Sequence, residues 1–434
     1  MIRRVTLPTL IICLLLAAVS LAVERFPPPD FEGGHELPLT TVPAPRADLY
    51  EYVDAAVLLA ALSLGAWLVL KKRSRRSIFL LMLFSLAYFG LWRDGCVCSI
   101  GAIQNVALSL FDSHYVPPLT VIVFFLLPLF FTVFFGRIFC AAVCPLGAIQ
   151  DLFLLRPLKV PLWLEQALGL LGYLYLGTAV LFAATGSAFI ICQYDPFVAF
   201  FRLSGSLNML ILGISFLVIC MFVGRAYCRF LCPYGVILRF FSRVSKYHAS
   251  ITPDECIQCR LCEEACPFNA IEKPAQPPAS QNRRKGKRLL IFLLVLLPVL
   301  TLSSGWLTSK ASSAFARMHA DVRLADRIWQ EENGQAEGTT DASDAFRATG
   351  QPAAELYQTA QILKQTFYRG SWVLGIFLGL VIGLKLIQLA VRRHKTEYQT
   401  NRMTCVSCGR CFAYCPRERV RRKELETKHT EHGS

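Results

Sequence analysis

The sequence predicts an α-helical polytopic membrane protein with about seven to eight spans. Composition is the first reason: of 434 residues, 54% are hydrophobic and 31 are Phe, more apolar side chain than a soluble fold buries. The second is segmentation. Apolar stretches of roughly 16 to 22 residues recur along the chain, each long enough for a hydrocarbon core of about 30 Å. The third is charge placement. The net charge is +15, but Lys and Arg gather at the ends of apolar segments, which is the positive-inside pattern and not a nucleic-acid face. The expected surroundings are a lipid bilayer, with no nucleic acid partner.

Residues 1–23 place Arg3 and Arg4 before an apolar run ending SLAVERF. This is either a signal peptide cut after Ala22 or a first membrane anchor. Residues 24–50, rich in Pro and acidic residues, then form a periplasmic linker. A membrane domain follows over 51–250. Its spans run inward over 52–70 to KKRSRR, outward over 77–92, inward over 119–136 to Arg137, outward over 165–186, and inward over 207–223 to Arg225, Arg229, Arg239, Arg243 and Lys246. After a loop at 251–282, the segment 283–306 leaves from RRKGKR, and 371–391 returns to VRRHK and a tail at 392–434. Every basic cluster then falls on one side, the cytoplasmic side of a bacterial inner membrane. Residues 307–370 remain on the periplasmic face. There Val322, Ala325, Ile328 and Trp329, and again Leu356, Ala360 and Leu363, recur at helical spacing around a Gly/Thr/Asp-rich break at 334–350, which predicts a pair of capping helices.

The chemistry lies in the 17 cysteines. Cys256 to Pro267 reads CIQCRLCEEACP, and Cys405 to Pro416 reads CVSCGRCFAYCP, the same C-x2-C-x2-C-x3-C-P run twice. Four thiolates suit soft iron, and in bacterial two-cluster ferredoxins the fourth cysteine of each run ligates the other cluster. One [4Fe-4S] cluster is therefore expected on Cys256, Cys259, Cys262 and Cys415, and a second on Cys405, Cys408, Cys411 and Cys266. Structural zinc is the alternative, although zinc sites need only paired cysteines. Both runs fall on the basic side, in the reducing compartment, as a small cytoplasmic α+β two-[4Fe-4S] ferredoxin-like module.

GRIFCAAVCPLGAIQ from Gly136 and GRAYCRFLCPYGVIL from Gly224 form a duplicated two-helix unit 88 positions apart. Cysteines four apart at a helix start share a face. A pseudo-twofold would then gather Cys140, Cys144, Cys228 and Cys232 at the inner membrane edge beside Arg137 and Arg225. A further Fe–S centre, a redox-active thiol site, zinc and a set of buried small residues are all readings of these four. On the outer side DGCVCSIGAIQ carries Cys96 and Cys98, and FIICQYDPF carries Cys192; SIGAIQ copies the PLGAIQ that follows Cys144. These three are either a disulfide set or a metal or redox centre, with His114 or Asp195 as fourth ligand. Cys13 and Cys220 read as apolar-segment residues. No span contains a His, and neither C-x-x-C-H nor a nucleotide-binding motif occurs, so no haem is expected.

Paired G-R-x-x-C-x3-C-P units followed by ferredoxin runs resemble the NosR/NapH group of polyferredoxin-type membrane proteins, over roughly residues 50–275 and 400–416. The resemblance implies clusters on both runs and redox roles for Cys140, Cys144, Cys228 and Cys232. It also implies electron transfer from a cytoplasmic electron donor or the quinone pool to a periplasmic flavoprotein or reductase. The chain departs from NosR in lacking a periplasmic flavin domain, so no covalent FMN is expected. It departs further in separating its two ferredoxin runs by two spans. The expected function is a membrane-bound iron–sulfur electron-transfer protein, a redox carrier or quinol dehydrogenase-like subunit, not a stand-alone enzyme. The alternative is a redox-active assembly or regulatory factor for a periplasmic metalloenzyme. An ion-pumping subunit is disfavoured, because no acidic residue sits in mid-span as a proton relay.

Overall fold

The structure, a computed structural model, describes residues 48–95, 98–203, 206–251, 256–274, 283–390 and 397–431. The expected leader or anchor and most of the linker, together with Cys13 and Cys96, lie outside the described residues. Helix α1 (Asp48–Trp67) continues as a π-helical turn, Leu68–Lys72, and α2 (Arg75–Ser85) as another, Leu86–Trp92. Then come α3 (Ala102–Phe111), α4 (Leu119–Phe135), α5 (Pro145–Leu152), α6 (Leu162–Ala184), α7 (Leu207–Cys220), α8 (Ala226–Phe230) and α9 (Pro233–Ser242). The first ferredoxin run carries α10 (Leu261–Glu264) and β1 (Ile271–Glu272). Next are α11 (Arg283–Lys310), α12 (Ala320–Glu332), α13 (Asp341–Ala348) and α14 (Ala353–Ala390), and the second run carries β2 (Gln399–Thr400), α15 (Arg410–Tyr414) and α16 (Pro416–Glu431).

Among the described residues, five helical stretches are long and apolar enough to cross a membrane: Leu49–Lys72, Arg75–Trp92, Leu162–Ala184, Gly286–Lys310 and Ala353–Ala390. The expected spans at 119–136 and 207–223 are shorter helices of 17 and 14 residues. The first runs its expected length to Gly136, whereas the second ends at Cys220, before its expected end at residue 223, as the chain turns toward the second cysteine motif. The main core is built from α1 to α9, around Leu62, Phe89, Ile138, Tyr227, Tyr234 and Leu238. On α11, Ile291, Phe292, Val295, Leu302 and Trp306 are exposed, an apolar surface suited to lipid.

The segment 307–370 is helical but differs from a simple pair. Val322, Ala325 and Ile328 are buried as expected, whereas Trp329 is exposed. The expected break contains α13, which starts because Thr340 and Ser343 form a capping box. The second expected helix is the first part of α14, whose 38 residues reach about 57 Å at 1.5 Å per residue. That exceeds the hydrocarbon thickness, so part of the same helix stands clear of it. His319 caps α12, its Nδ1 accepting from the Asp321 N–H at 3.2 Å.

Helices α11 and α14 form a tight hairpin because Gly375, Gly379 and Gly383 line one face of α14, a small-residue repeat that lets backbones approach. Ser304 Oγ donates to the Gly375 carbonyl and Thr308 Oγ1 to the Ser371 carbonyl, both at 2.7 Å. The hairpin returns the chain, and β1 pairs antiparallel with β2, Ile271 opposite Thr400 and Glu272 opposite Gln399. A methyl on Gly379 would stand 2.6 Å from the Leu300 oxygen and 2.7 Å from Thr301 Cα, while one on Gly286 meets nothing. Gly379→Ala is expected to cost about 1–3 kcal/mol in an SDS unfolding titration, with Gly286→Ala neutral or slightly stabilising.

Candidate functional site

The two ferredoxin runs fold by one backbone device. Gln258 and Arg260 in the first have φ of 52° and 64°, and the equivalent Ser407 and Gly409 in the second have 56° and 73°. Left-handed residues on both sides of the second cysteine curl the loop so that its first three sulfurs face inward. The short helices α10 and α15 then carry Cys262 and Cys411, and the fourth cysteine leaves toward the neighbouring run. Cys256, Cys259, Cys262 and Cys415 wall one cavity together with Ile251 and Tyr398. Cys266, Cys405, Cys408 and Cys411 wall a second with Phe268 and Ile271. Each of these cavities therefore draws three cysteines from one run and the fourth from the other.

A third cavity is walled by Cys140, Cys144, Cys228 and Cys232, with Tyr234 and Phe139. The two copies of the repeat are related but not identical. Cys140 sits on a π-helical turn, Phe139–Val143, and Cys228 on the α-helical α8. Their opening glycines serve different purposes: Gly136 adopts a φ of +74°, whereas Gly224 is needed because a methyl there would meet Pro267 Cβ at 2.9 Å. The second copy is therefore the seat on which the first ferredoxin run docks. The inner glycines act alike. Gly147 and Gly235 admit the carbonyls of Cys140 and Cys228 at 3.1 and 3.2 Å from where a Cβ would be, and the Gly235 N–H donates to Cys232 Sγ at 3.3 Å.

Arg137 points an Nη at Cys140 Sγ, 3.7 Å away, and donates to the Met403 carbonyl at 3.3 Å. Arg225 instead crosses to the first copy, donating to the carbonyls of Cys140 and Ala141. Gln150 ties the copies from the other direction. Its Oε1 accepts from the N–H groups of Tyr227 and Cys228 at 3.1 and 3.4 Å, and its Nε2 donates to Cys228 Sγ at 3.1 Å. Cys220 is fully buried and directs its thiol to the same Oε1.

The three cavities stand in file. Cys266 packs in the clusters of side chains around both ferredoxin cavities, and Cys140 packs with Phe268, Val406, Cys405 and Cys408. On the other flank, Ile100, two residues past Cys98, lines the third cavity. Cys98 and Cys192 are free thiols, not bridged to one another. Their sulfurs flank Gly101, 3.7 and 3.2 Å from a methyl placed there. The Gly101 N–H donates to Cys98 Sγ at 3.2 Å, the relation Gly235 bears to Cys232. Gln104 accepts from the N–H groups of Ile191 and Cys192 at 3.1 and 3.3 Å, repeating the part Gln150 plays for Cys228. Of the two conceivable fourth ligands, Asp195 acts electrostatically on both thiols. Burial raises its carboxyl to about 6 against the opposing Phe197 N–H and Arg202. The His114 N–H donates to Asp112, and no contact joins the His114 ring to these cysteines among the described residues.

Asp151 was not singled out from sequence, yet its buried carboxylate holds three arginines: Arg75 at 2.9 Å, Arg410 at 3.3 Å and Arg225 at 3.5 Å. Burial alone would raise this carboxyl; Arg225, Arg410 and Arg75 outweigh it and bring it down to about 2. Among the described residues, no three Cys, His, Asp or Glu side chains converge as a single metal ion requires. Four cysteine thiolates around one cavity are a donor set that suits an iron–sulfur cluster.

Family comparisons agree with this chemistry. One 4Fe-4S binding domain matches residues 117–162 and again 206–251, the two C-x3-C-P copies, and another matches 249–272, the first ferredoxin run. Uncharacterized protein MJ0750 of Methanocaldococcus jannaschii is 30% identical over 203 residues, 46% of this chain and 82% of that protein. Uncharacterized protein MJ0749 of the same organism is 34% identical over 67 residues, 15% of this chain and 27% of its own. YccM of Escherichia coli (strain K12), named for electron transport, is 28% identical over 122 residues, 26% of this chain and 34% of its own. No solved structure matches.

Because the Asp151 carboxyl lies below its ordinary value of 3.8, its contribution is complete above about pH 4 and is lost as pH falls toward about 2. Asp151→Asn leaves the buried Arg225 and the partly buried Arg75 and Arg410 without their carboxylate. It should destabilise the protein by about 3–5 kcal/mol at neutral pH and flatten the acid limb of stability, as measured by unfolding titrations at pH 7, 4 and 3.

Proposed function

We propose that this chain, which belongs to the same family as the uncharacterized protein MJ0750 of Methanocaldococcus jannaschii, is a membrane-bound iron–sulfur electron carrier. The observation that supports this most directly is the file of three cavities, each walled by four cysteines. In this reading Cys256, Cys259, Cys262 and Cys415 hold one [4Fe-4S] cluster, and Cys405, Cys408, Cys411 and Cys266 hold a second. Cys140, Cys144, Cys228 and Cys232 hold a further Fe–S centre. When bound, the clusters supply one-electron chemistry at potentials set by ligation, hydrogen bonds to sulfur and burial.

The chain supplies the tuning. Arg137 places positive charge at Cys140, Gln150 donates to Cys228, and glycine N–H groups point at Cys98 and Cys232. Cys98 and Cys192, with Cys96 beside them in sequence and Asp195 near them in the fold, form an outer terminal. The repeated glycine and glutamine contacts favour a redox or metal centre there over a disulfide. The ferredoxin module faces the cytoplasm, since the basic residues gather at that end. The outer cysteines face the periplasm, and the NosR/NapH-like arrangement joins a cytoplasmic donor or the quinone pool to a periplasmic flavoprotein or reductase.

Purified protein should contain roughly twelve irons per chain with three such clusters, or roughly eight if only the ferredoxin-type pair is present. About four or fewer would contradict the reading. The Cys144→Ser, Cys232→Ser double variant should remove one centre from a redox-poised EPR titration and leave both ferredoxin signals in place. Deleting the gene should leave the periplasmic partner matured but starved of electrons; an apo-partner would favour an assembly factor instead.

A further inference from the structure

Against the third cysteine site, and walled in part by Cys140 and Cys228, lies a cavity of about 130 Å³. Five cations line it, Arg137, Arg225, Arg229, Arg239 and Lys385, against a single carboxylate, Glu165. The carboxylates are already committed: Glu165 pairs with Arg229 at 2.6 Å, and Asp151, behind the wall, pairs with Arg225. Among the described residues, Arg137, Arg239 and Lys385 have no carboxylate within ion-pair distance.

Their remaining contacts do not neutralise them. Arg137 is 3% exposed, and its Nε has no hydrogen-bond partner. Arg239 donates to the Arg229 carbonyl at 3.0 Å, while its Nε is inaccessible and unpartnered. Lys385 Nζ donates to the Gln166 carbonyl at 3.1 Å. The two outer cations converge: a methyl on Gly169 would stand 3.2 Å from Lys385 Nζ and 4.0 Å from Arg239 Nη1. After burial, the strongest influences on Arg239 are Arg137, Tyr173, Glu165 and Arg229. Burial and then Arg137 lower its guanidinium to about 10, the mark of a cation set among cations. Cations this enclosed are costly unless an anion joins them.

We propose that this cavity binds an oxyanion of the phosphate class, with Arg239, Lys385 and Arg137 as its principal ligands. Guanidinium forks and an ammonium are the groups that match phosphate oxygens. Lys385 lies near the end of α14 and Gly169 near the start of α6, so the cavity sits at a span end, where phospholipid headgroups meet basic side chains. The ligand is either free phosphate or the headgroup of an anionic phospholipid. The inference rests on the charges of the cavity, whose wall also includes Cys140 and Cys228, with Arg137 serving Cys140 as well.

The test uses full-length, metal-loaded protein in nanodiscs. In phosphatidylcholine discs, equilibrium dialysis with radiolabelled inorganic phosphate reads the free anion. In discs containing phosphatidylglycerol, native mass spectrometry reads retained lipid. One equivalent per chain is expected in one arm, and that arm identifies the source. The Arg239→Gln, Lys385→Gln double variant should weaken binding at least tenfold. So should Gly169→Leu, which fills the cavity and leaves every charge in place. No binding by the wild type in either arm overturns the proposal without recourse to variants. Binding that Gly169→Leu and the double variant both leave unchanged overturns it as well.

Discussion

One buried carboxylate ties together segments that the sequence keeps far apart. Asp151 follows the first C-x3-C-P copy and reaches Arg75 at the start of α2, Arg225 of the second copy and Arg410 of the second ferredoxin run. A carboxylate fully out of water is tolerable only with such partners, and the enclosed Arg225 guanidinium depends on it in turn. Arg225, so held, turns its remaining donors to the carbonyls of Cys140 and Ala141. The membrane repeat and the ferredoxin module are thereby fixed to each other at the point where their cysteine sites meet.

The duplicated motif shows how one sequence pattern serves two mechanical ends. Gly136 is a conformational glycine, with positive φ, while Gly224 is a contact glycine, with Pro267 against it. The same letters let the first copy bend into a π-helical turn and the second receive the ferredoxin loop. Behind both, a glutamine six residues past a cysteine repeats one role: Gln150 accepts from the backbone at Cys228, and Gln104 accepts from the backbone at Cys192. The SIGAIQ stretch is therefore a structural echo of PLGAIQ, and the outer cysteines are framed as the inner ones are.

Cysteine spacing made much of this legible in advance. The grouping of three cysteines of each ferredoxin run with one of the other, and of Cys140, Cys144, Cys228 and Cys232 around one cavity, is what local patterns that constrain loops lead one to expect. The hairpin of α11 and α14 was readable as two apolar segments, but its tightness depends on Gly375, Gly379 and Gly383, a spacing that carries meaning only once the partner helix is known. Asp151 and Gln150 had no signature of their own. Their long-range contacts span 70 to 259 residues of sequence, and a lone Gln-Asp pair at a helix end says nothing about partners that distant. The cationic cavity was hidden for the same reason: positive-inside counting explains where Arg137, Arg239 and Lys385 lie along the chain, not that they converge.

The central claim is that these cysteine sites form one relay and not a set of separate centres. In the fold, Cys266 packs within both ferredoxin surroundings, and Cys140 and Cys405 both pack on the cluster of Phe268, Ala270, Val406 and Cys408, so paramagnetic centres held there would be near neighbours. The direct test is EPR of the fully reduced protein at two microwave frequencies, compared with partly reduced samples. Full reduction should bring frequency-independent broadening and splitting of the ferredoxin-type signals by magnetic coupling between centres, absent when one centre alone is reduced. Spectra at full reduction that are the plain sum of uncoupled centres would contradict the account.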